Sequence, residues 1–317
     1  MIKIICGPTA SGKTALALRL AEVSTKAGRP ASIISADSRQ IYQGLDIITG
    51  KDIPKGFVKK ENFYEKDNLR LWGLDLLSPD EVYNAADFSA LTRKIIFEES
   101  RQGRAIFIVG GTGFYLKSLT EPDTLAKIPP NEALRRHLEE LSLEKLQQKL
   151  RDLDSKRFIS MNQSDVNNPR RLIRAIEIAS SLSLRGVRDE AIYTNTGSPR
   201  SSRDDTLSFS WLGIRIPLVK LRERIERRVH DRLDHGAVAE VENLLKNYPD
   251  QNLPVYTTLG VKPILRYLAG EISRAQARQL WTTEEVRYAK RQLTWFAKQP
   301  SIIWYDQDRI SSLSSPT

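Results

Sequence analysis

The chain has 317 residues, of which 40% are hydrophobic and 28% charged, the proportions of a soluble globular protein with two domains, or one domain carrying an insertion. No apolar run approaches the roughly 18 residues that cross a bilayer. One cysteine with three scattered histidines, His137, His230 and His235, offers neither an internal disulfide nor a zinc cluster. The balance of 49 Lys+Arg against 39 Asp+Glu gives +10, which favours a polyanionic partner such as nucleic acid, with a merely solubilised surface as the alternative.

Met1 leads directly into a strand-like run, Ile2–Cys6, with no basic leader or cleavage site, so a protein kept in a reducing cytoplasm is expected, with Cys6 an inert core residue. Gly7-Pro8-Thr9-Ala10-Ser11-Gly12-Lys13-Thr14 follows and fits G-x-x-x-x-G-K-[ST], between that strand and a helix expected over Thr14–Ala27. In such a loop glycines let backbone N–H groups converge on phosphate oxygens, the helix adds its positive end, Lys13 supplies a point charge and Thr14 a hydroxyl for Mg²⁺. The loop does not say which molecule carries the phosphates.

Ser32–Ala36 reads as the next strand and places Asp37 at its carboxyl end, the edge that lines the ligand crevice of an open α/β sheet. Three roles fit Asp37: a base toward an acceptor substrate, a Mg²⁺ ligand, or a cap of the following turn. Residues Lys51–Asn68 are polar without periodicity and read as a surface excursion. A strand over Leu69–Leu77, a helix over Asp87–Arg101 and a strand over Ala105–Val109 complete an alternating pattern. The last strand ends in Gly110-Gly111-Thr112-Gly113, with no carboxylate where a motor or switch NTPase carries one for Mg²⁺. From Pro122 to Arg185 the pattern turns helical, with Leu134, Leu138, Leu141, Leu146, Leu150 and Leu153 at three- and four-residue steps. Asn195–Asp205 reads as a connection, Phe209–Ile216 as a returning strand, Leu218–Gln299 as helical, Ile302–Tyr305 as a last short strand, and Ser311–Thr317 as a frayed end. The fold class expected is α/β, a P-loop NTPase-like parallel sheet core (residues 1–121 and 206–317) with an inserted all-helical domain (122–205) and a helical C-terminal region.

Taken together, Gly7–Thr14, Asp37-Ser38-Arg39-Gln40-Ile41-Tyr42, Gly44-Leu45-Asp46-Ile47, Gly110-Gly111-Thr112, Asn168-Pro169-Arg170-Arg171-Leu172-Ile173-Arg174 and Tyr288-Ala289-Lys290-Arg291-Gln292-Leu293-Thr294-Trp295 make the chain resemble the tRNA dimethylallyltransferases, also called tRNA isopentenyltransferases. The resemblance spans nearly the whole chain. It implies that Thr9–Thr14 surround the diphosphate of dimethylallyl pyrophosphate, with Lys13 and Thr9 beside Asp37 in the catalytic set. It also implies that Asp37 hydrogen-bonds or deprotonates the exocyclic amine of an adenine, with Ser38, Arg39 and Gln40 alongside. Thr112, Arg135, Arg170, Arg171, Leu172, Ile173, Arg174, Thr257, Gly260, Lys262, Lys290, Arg291, Gln292, Thr294 and Trp295 are carried over as tRNA contacts, and the inserted domain as the grip on the anticodon.

The implied partners are a tRNA anticodon stem-loop and dimethylallyl pyrophosphate, with Mg²⁺ as cofactor, no membrane, and a monomer in the cytoplasm. The chain departs from the family where a His-His-Leu stretch is replaced by Arg70-Leu71-Trp72, where a Gly-Tyr pair is replaced by Gly260-Val261, and in lacking the zinc module of some eukaryotic members. Nothing is carried over to residues 183–205. Arg170, Arg171 and Arg174 share a helix direction that forms a phosphate-sized patch, the alternative being a face paired with acids such as Glu177. For Trp295 a core position is expected while Lys290 and Arg291 face RNA. Competing classes are a free-nucleotide isopentenyltransferase, a small-molecule P-loop kinase and a non-catalytic RNA-binding module.

Overall fold

The computed structural model describes residues 1–121, 128, 130–189 and 207–307; the connection expected over Asn195–Asp205 and the end expected over Ser311–Thr317 lie outside the described residues. The chain divides into two compact units, Met1–Glu121 with Thr206–Thr317, and Pro122–Asp205.

In the first unit β1 (Ile2–Cys6), β2 (Ala31–Ser35), β3 (Val58–Lys59), β4 (Phe63–Lys66), β5 (Leu69–Trp72), β6 (Ala105–Gly110), β7 (Phe209–Arg215) and β8 (Ile302–Asp306) form one sheet in the order β3-β4-β5-β2-β6-β1-β7-β8. Pairing is parallel from β5 through β8, and β3 and β4 join antiparallel at one edge. Strand β1 lies between β6 and β7 with helices over both faces, so its apolar residues run almost without alternation. On one face α1 (Lys13–Lys26) sets Ala17 and Ala21 against Ile5, Ile33 and Phe107. On the other, α3 (Ala85–Arg101) and α4 (Gly113–Thr120) bring Phe88, Ile95, Ile96 and Leu116 onto Ile4, Ile34 and Ile108. Each such side chain, fully buried, contributes about 1.5–3 kcal/mol. Cys6 belongs to this interior, and burial pushes its thiol up to about 12.

Two expectations for the region between β2 and α3 need correction. The polar run Lys51–Asn68 holds the β3–β4 hairpin, because Phe63 packs on Trp72 with ring centroids 4.5 Å apart and the Tyr64 hydroxyl donates to Asp75 at 2.6 Å. A strand of four residues is too short to show a period. The strand expected over Leu69–Leu77 stops at Trp72, because Gly73 (φ 80°) and Asp75 (φ 52°) take left-handed backbone. That turn buries the Asp75 carboxylate against the Lys51 ammonium.

A short α2 (Asp46–Thr49) and four C-terminal helices, α10 (Leu218–Asp234), α11 (Ala237–Asn247), α12 (Val261–Leu268) and α13 (Arg274–Phe296), share a separate core around Leu221, Ile225, Val229, Val241, Ile264 and Trp281. Helix α13 starts at a reciprocal cap between Ser273 and Gln276.

The second unit is helical: α5 (Glu132–Glu139), α6 (Leu143–Leu153), α7 (Ser155–Ser160), α8 (Gln163–Val166) and α9 (Pro169–Asp189). Leu138, Leu146, Leu150, Leu172, Ile173 and Ile176 form its core, whereas Leu153, in step with them in sequence, is exposed. Among the described residues no helix is long and apolar enough to cross a membrane.

Candidate active site

The site begins where β1 ends. Gly7 (φ 145°) passes so close to β7 that a Cβ would lie 3.0 Å from the Ile214 carbonyl oxygen, and Gly12 (φ 92°) starts α1 from left-handed backbone. Ala10 is also left-handed (φ 59°), a conformation costing about 1–2 kcal/mol for an L-residue. The turn stands at the positive end of the 14-residue α1, a position that favours an anion. Lys13 Nζ donates to the Pro8 carbonyl at 2.7 Å. The Ser11 hydroxyl and the Arg228 Nε are buried without a partner. Such atoms call for a partner, whether an ordered water, an ion or a bound group.

Because β6 lies between β1 and β2, the carboxyl ends of all three open on one crevice. It holds about 490 Å³, with Thr9, Gly12, Lys13, Thr14, Asp37 and Arg228 among its walls. A second cavity of about 210 Å³ shares Thr9, Asp37 and Arg232 and is lined further by Ser38, Arg39, Glu285, Tyr288 and Arg291. Thr9 and Asp37 therefore stand between a space walled by Lys13 and Arg228 and a mixed polar and aromatic one. Gly110 lets the ends of β6 and β2 approach closely, since a Cβ there would lie 2.2 Å from the Ala36 carbonyl oxygen.

Electrostatics reinforce the division. Burial pushes the Lys13 ammonium down to about 8; the Asp37 carboxylate opposes this and Arg228 adds to it. Asp37 Oδ1 accepts the Arg39 amide at 2.9 Å, so the turn-capping role is realised with one oxygen. Ser38 donates its amide to Thr112 Oγ1 at 3.2 Å, which joins the ends of β2 and β6.

The structure also brings in residues the sequence reading missed. Arg224, Arg228 and Arg232, at four-residue steps on α10, all line the phosphate crevice. Arg228 Nη2 donates to Thr9 Oγ1 at 2.6 Å and to Glu285 Oε2 at 3.0 Å. Arg232 reaches the Ile48 carbonyl at 3.1 Å, and burial pushes it down to about 10. The i, i+4, i+8 spacing was a visible signal, but α10 carries so many charges that the three arginines do not stand out.

Several residues carried over as tRNA contacts turn inward. Leu172 and Ile173 belong to the second unit's core, which corrects their assignment to an RNA surface. Gln292 is buried, its Oε1 accepting the Thr9 amide at 2.7 Å and its Nε2 donating to the Gly111 carbonyl at 2.9 Å. Gly260 (φ 90°) packs on Trp281, whose indole lies 2.3 Å from where a Cβ would be. Gln40 is taken up by Ser35 and the Gly50 carbonyl, and Arg39 by the Pro254 carbonyl. Arg135 holds both oxygens of the buried Glu177 at 2.8 and 3.0 Å, while Arg174 donates to Glu177 at 3.2 Å and to the Ile128 carbonyl at 2.8 Å. Arg171 pairs with Asp165. Arg170 is exposed, as are Thr257, Lys262, Lys290, Arg291 and Thr294. Trp295 is half-buried over Gly113 and edge-on to Phe296, as a core position requires.

Among the described residues no three His, Cys, Asp or Glu side chains form a metal cage. Thr14, the last residue of the Gly7–Thr14 loop, lines the crevice. One hydroxyl completed by water and phosphate oxygens is a ligand set that Mg²⁺ takes, so the residues fit Mg²⁺ arriving with its diphosphate.

Residues 40–299 match the IPP transferase family. A tRNA dimethylallyltransferase of Acetivibrio thermocellus is 34% identical, covering 98% of this chain and 93% of the relative. One from Crocosphaera subtropica is 33% identical over 96% of this chain and 91% of its own. Among solved structures, a full-length tRNA isopentenylpyrophosphate transferase from Bacillus halodurans superposes with a TM-score of 0.66 at 30% identity, covering 98% of this chain and 93% of that one. A eukaryotic dimethylallyltransferase acting on tRNA shares the fold, with a TM-score of 0.77 at 21% identity over 99% of this chain and 75% of its own. With its phosphate loop, its acid-tipped second strand and this agreement along the whole length, the chain belongs to the IPP transferase family.

Proposed function

We propose that the protein transfers the dimethylallyl group of dimethylallyl pyrophosphate to the exocyclic N6 amine of the adenosine 3′ to the anticodon of tRNA, releasing pyrophosphate. The observation that carries this reading is the position of Thr9 and Asp37 on the shared wall of two cavities, one lined by phosphate-binding groups and the other by Tyr288 and Arg291.

In this mechanism the diphosphate lies against the Gly7–Thr14 loop, with Lys13, Arg224, Arg228 and Arg232 around it. The adenine amine is a weak nucleophile because its lone pair is delocalised into the ring. Asp37, fixed by the Arg39 amide, holds one N–H through its second oxygen and takes the proton as the C–N bond forms, an effect typically worth about 10²–10⁴-fold. The bond from carbon to the diphosphate oxygen breaks, and the negative charge of the departing pyrophosphate is met by Lys13 and the arginines. Thr14 would hold Mg²⁺ arriving with the diphosphate, and the ion would supply further positive charge there. The target base must leave the anticodon-loop stack at a cost of a few kcal/mol, which RNA backbone contacts from the 122–205 unit and from Lys262, Lys290 and Arg291 offset.

The acceptor decides between this reading and its rivals. With labelled dimethylallyl pyrophosphate and Mg²⁺, an unmodified tRNA bearing that adenosine should be prenylated at least about a thousandfold faster, per kcat/KM, than AMP or ATP. Comparable transfer to AMP would overturn the tRNA acceptor. ATP-dependent phosphorylation without prenyl transfer would move the protein to the kinases.

A further inference from the structure

The inward face of α13 converges on one residue of the phosphate loop. Glu285, Ala289 and Gln292 lie along that face and are all buried. Gln292 holds the Thr9 main chain: its Oε1 accepts the Thr9 amide at 2.7 Å, while its Nε2 is anchored on the Gly111 carbonyl at the end of β6 at 2.9 Å. Glu285 holds the Thr9 side chain at one remove. Its Oε2 accepts from Arg228 Nη2 at 3.0 Å, and the same nitrogen donates to Thr9 Oγ1 at 2.6 Å. Thr9 thus has both amide and hydroxyl fixed from one helix, and it is the loop residue that borders both cavities.

Three further facts show that this is a built arrangement. Gly111 has no room for a side chain, since a Cβ would lie 2.1 Å from Gln292 Nε2. Glu285 also accepts from Arg232 at 3.5 Å, so one buried carboxylate holds two of the crevice arginines. A glutamine whose acceptor and donor ends are both engaged inside the protein has its amide turned away from solvent and from RNA.

We propose that Gln292 and Glu285 are positioning residues that clamp Thr9, so that α13 fixes the geometry in which the loop receives a diphosphate. The proposal rests on the diphosphate reading of the loop given above. It assigns Gln292 to the diphosphate side of the reaction and not to RNA contact. Releasing the clamp costs twice. The Thr9 amide swings free, and Arg228 loses the carboxylate that aims it at both Thr9 and the incoming charge.

The test uses the full-length protein and two probes, Mg²⁺-pyrophosphate by calorimetry and a 17-nucleotide anticodon stem-loop RNA by fluorescence anisotropy. Gln292→Met, which keeps the volume and removes both hydrogen bonds, should weaken pyrophosphate binding at least tenfold and leave RNA binding within twofold. Glu285→Gln should do the same. Gly111→Ala provides an independent disruption, because the new methyl need displace only the flexible end of Gln292; it should reproduce the Gln292→Met pattern in a folded protein. Hydrogen exchange on the unaltered protein gives a readout that needs no variant: the Thr9 amide should be protected in the absence of pyrophosphate. A loss confined to RNA binding, pyrophosphate affinity within twofold in the folded variants, or rapid exchange at Thr9 would each overturn the clamp. Wild-type protein that binds pyrophosphate but transfers no prenyl group to tRNA would sink the proposed function and leave the clamp standing.

Discussion

Asp37 Oδ1 accepts the amide hydrogen of Arg39 at 2.9 Å, which ties the carboxylate to its own turn in the wall of the crevice. An asparagine at this position keeps Oδ1 and therefore keeps the turn, but loses the anionic acceptor. Asp37→Asn should fold normally and bind both substrates while the single-turnover rate of prenyl transfer falls at least about tenfold. A rate within twofold of wild type would show that Asp37 serves only as a cap.

Lys13 offers a second test through pH. Burial holds its ammonium down at about 8 in the open crevice, and a bound diphosphate favours the charged form, so binding at higher pH must take up a proton. Affinity for dimethylallyl pyrophosphate should be nearly flat below about pH 8 and then decline toward tenfold per pH unit. Calorimetry in buffers of different ionisation enthalpy should register the proton uptake. Lys13→Met should bind more weakly and lose the decline; a decline that survives in that variant assigns the titration elsewhere.

The arginines of α9 separate by their partners. Arg170 is exposed, so Arg170→Ala should weaken tRNA binding and lower the salt slope by up to about one unit, with no change in melting temperature. Arg174 helps Arg135 and the Asn131 amide satisfy Glu177. Burial pushes the Glu177 carboxyl up, but these donors outweigh it and hold the group below its ordinary range. A carboxylate with a depressed folded value stabilises the protein above its unfolded pKa and loses that contribution as pH falls through the folded value. Arg174→Ala should therefore cost about 1–3 kcal/mol at neutral pH, and the cost should shrink on acidification below the usual glutamate range. Thermal melts at neutral and acid pH decide this; a pH-independent cost would point to lost packing.

How much of this was legible in the sequence follows from how local each feature is. The phosphate loop is contiguous, so Gly7–Thr14 and Asp37 at the tip of β2 could be read directly, as could the helical character of the segment holding α5 to α9. Four-residue strands such as Phe63–Lys66 have too few residues to show alternation and depend on a distant Trp72. The arginine row at 224, 228 and 232 becomes meaningful only when α10 is seen to face the loop some 210 positions earlier, where Arg228 meets Thr9 at a separation of 219 residues. Leu172, Ile173 and Gln292 were drawn into the RNA set by their motif neighbours; only burial shows that adjacent residues on a helix point to opposite sides.

Tyr288 supplies the last prediction. Among the described residues it is the one aromatic side chain lining the cavity that Asp37 shares with Arg291, and the Arg291 guanidinium lies 5.6 Å from its ring centroid. Burial pushes its phenol up to about 12, with Asp37 adding to the effect, so it stays protonated throughout the working range. A base drawn out of the anticodon loop loses its stacking neighbours, and the face of Tyr288 is positioned to replace one of them. Base–aromatic stacking is worth about 1–3 kcal/mol, which corresponds to roughly 5–150-fold. Tyr288→Ala should therefore lower kcat/KM for tRNA within that range at saturating dimethylallyl pyrophosphate, with affinity for the latter within twofold of wild type. Tyr288→Phe keeps the ring and should stay within about threefold. Equal losses in the two variants would transfer the role to the hydroxyl, and an Ala variant as active as wild type would remove Tyr288 from the acceptor site.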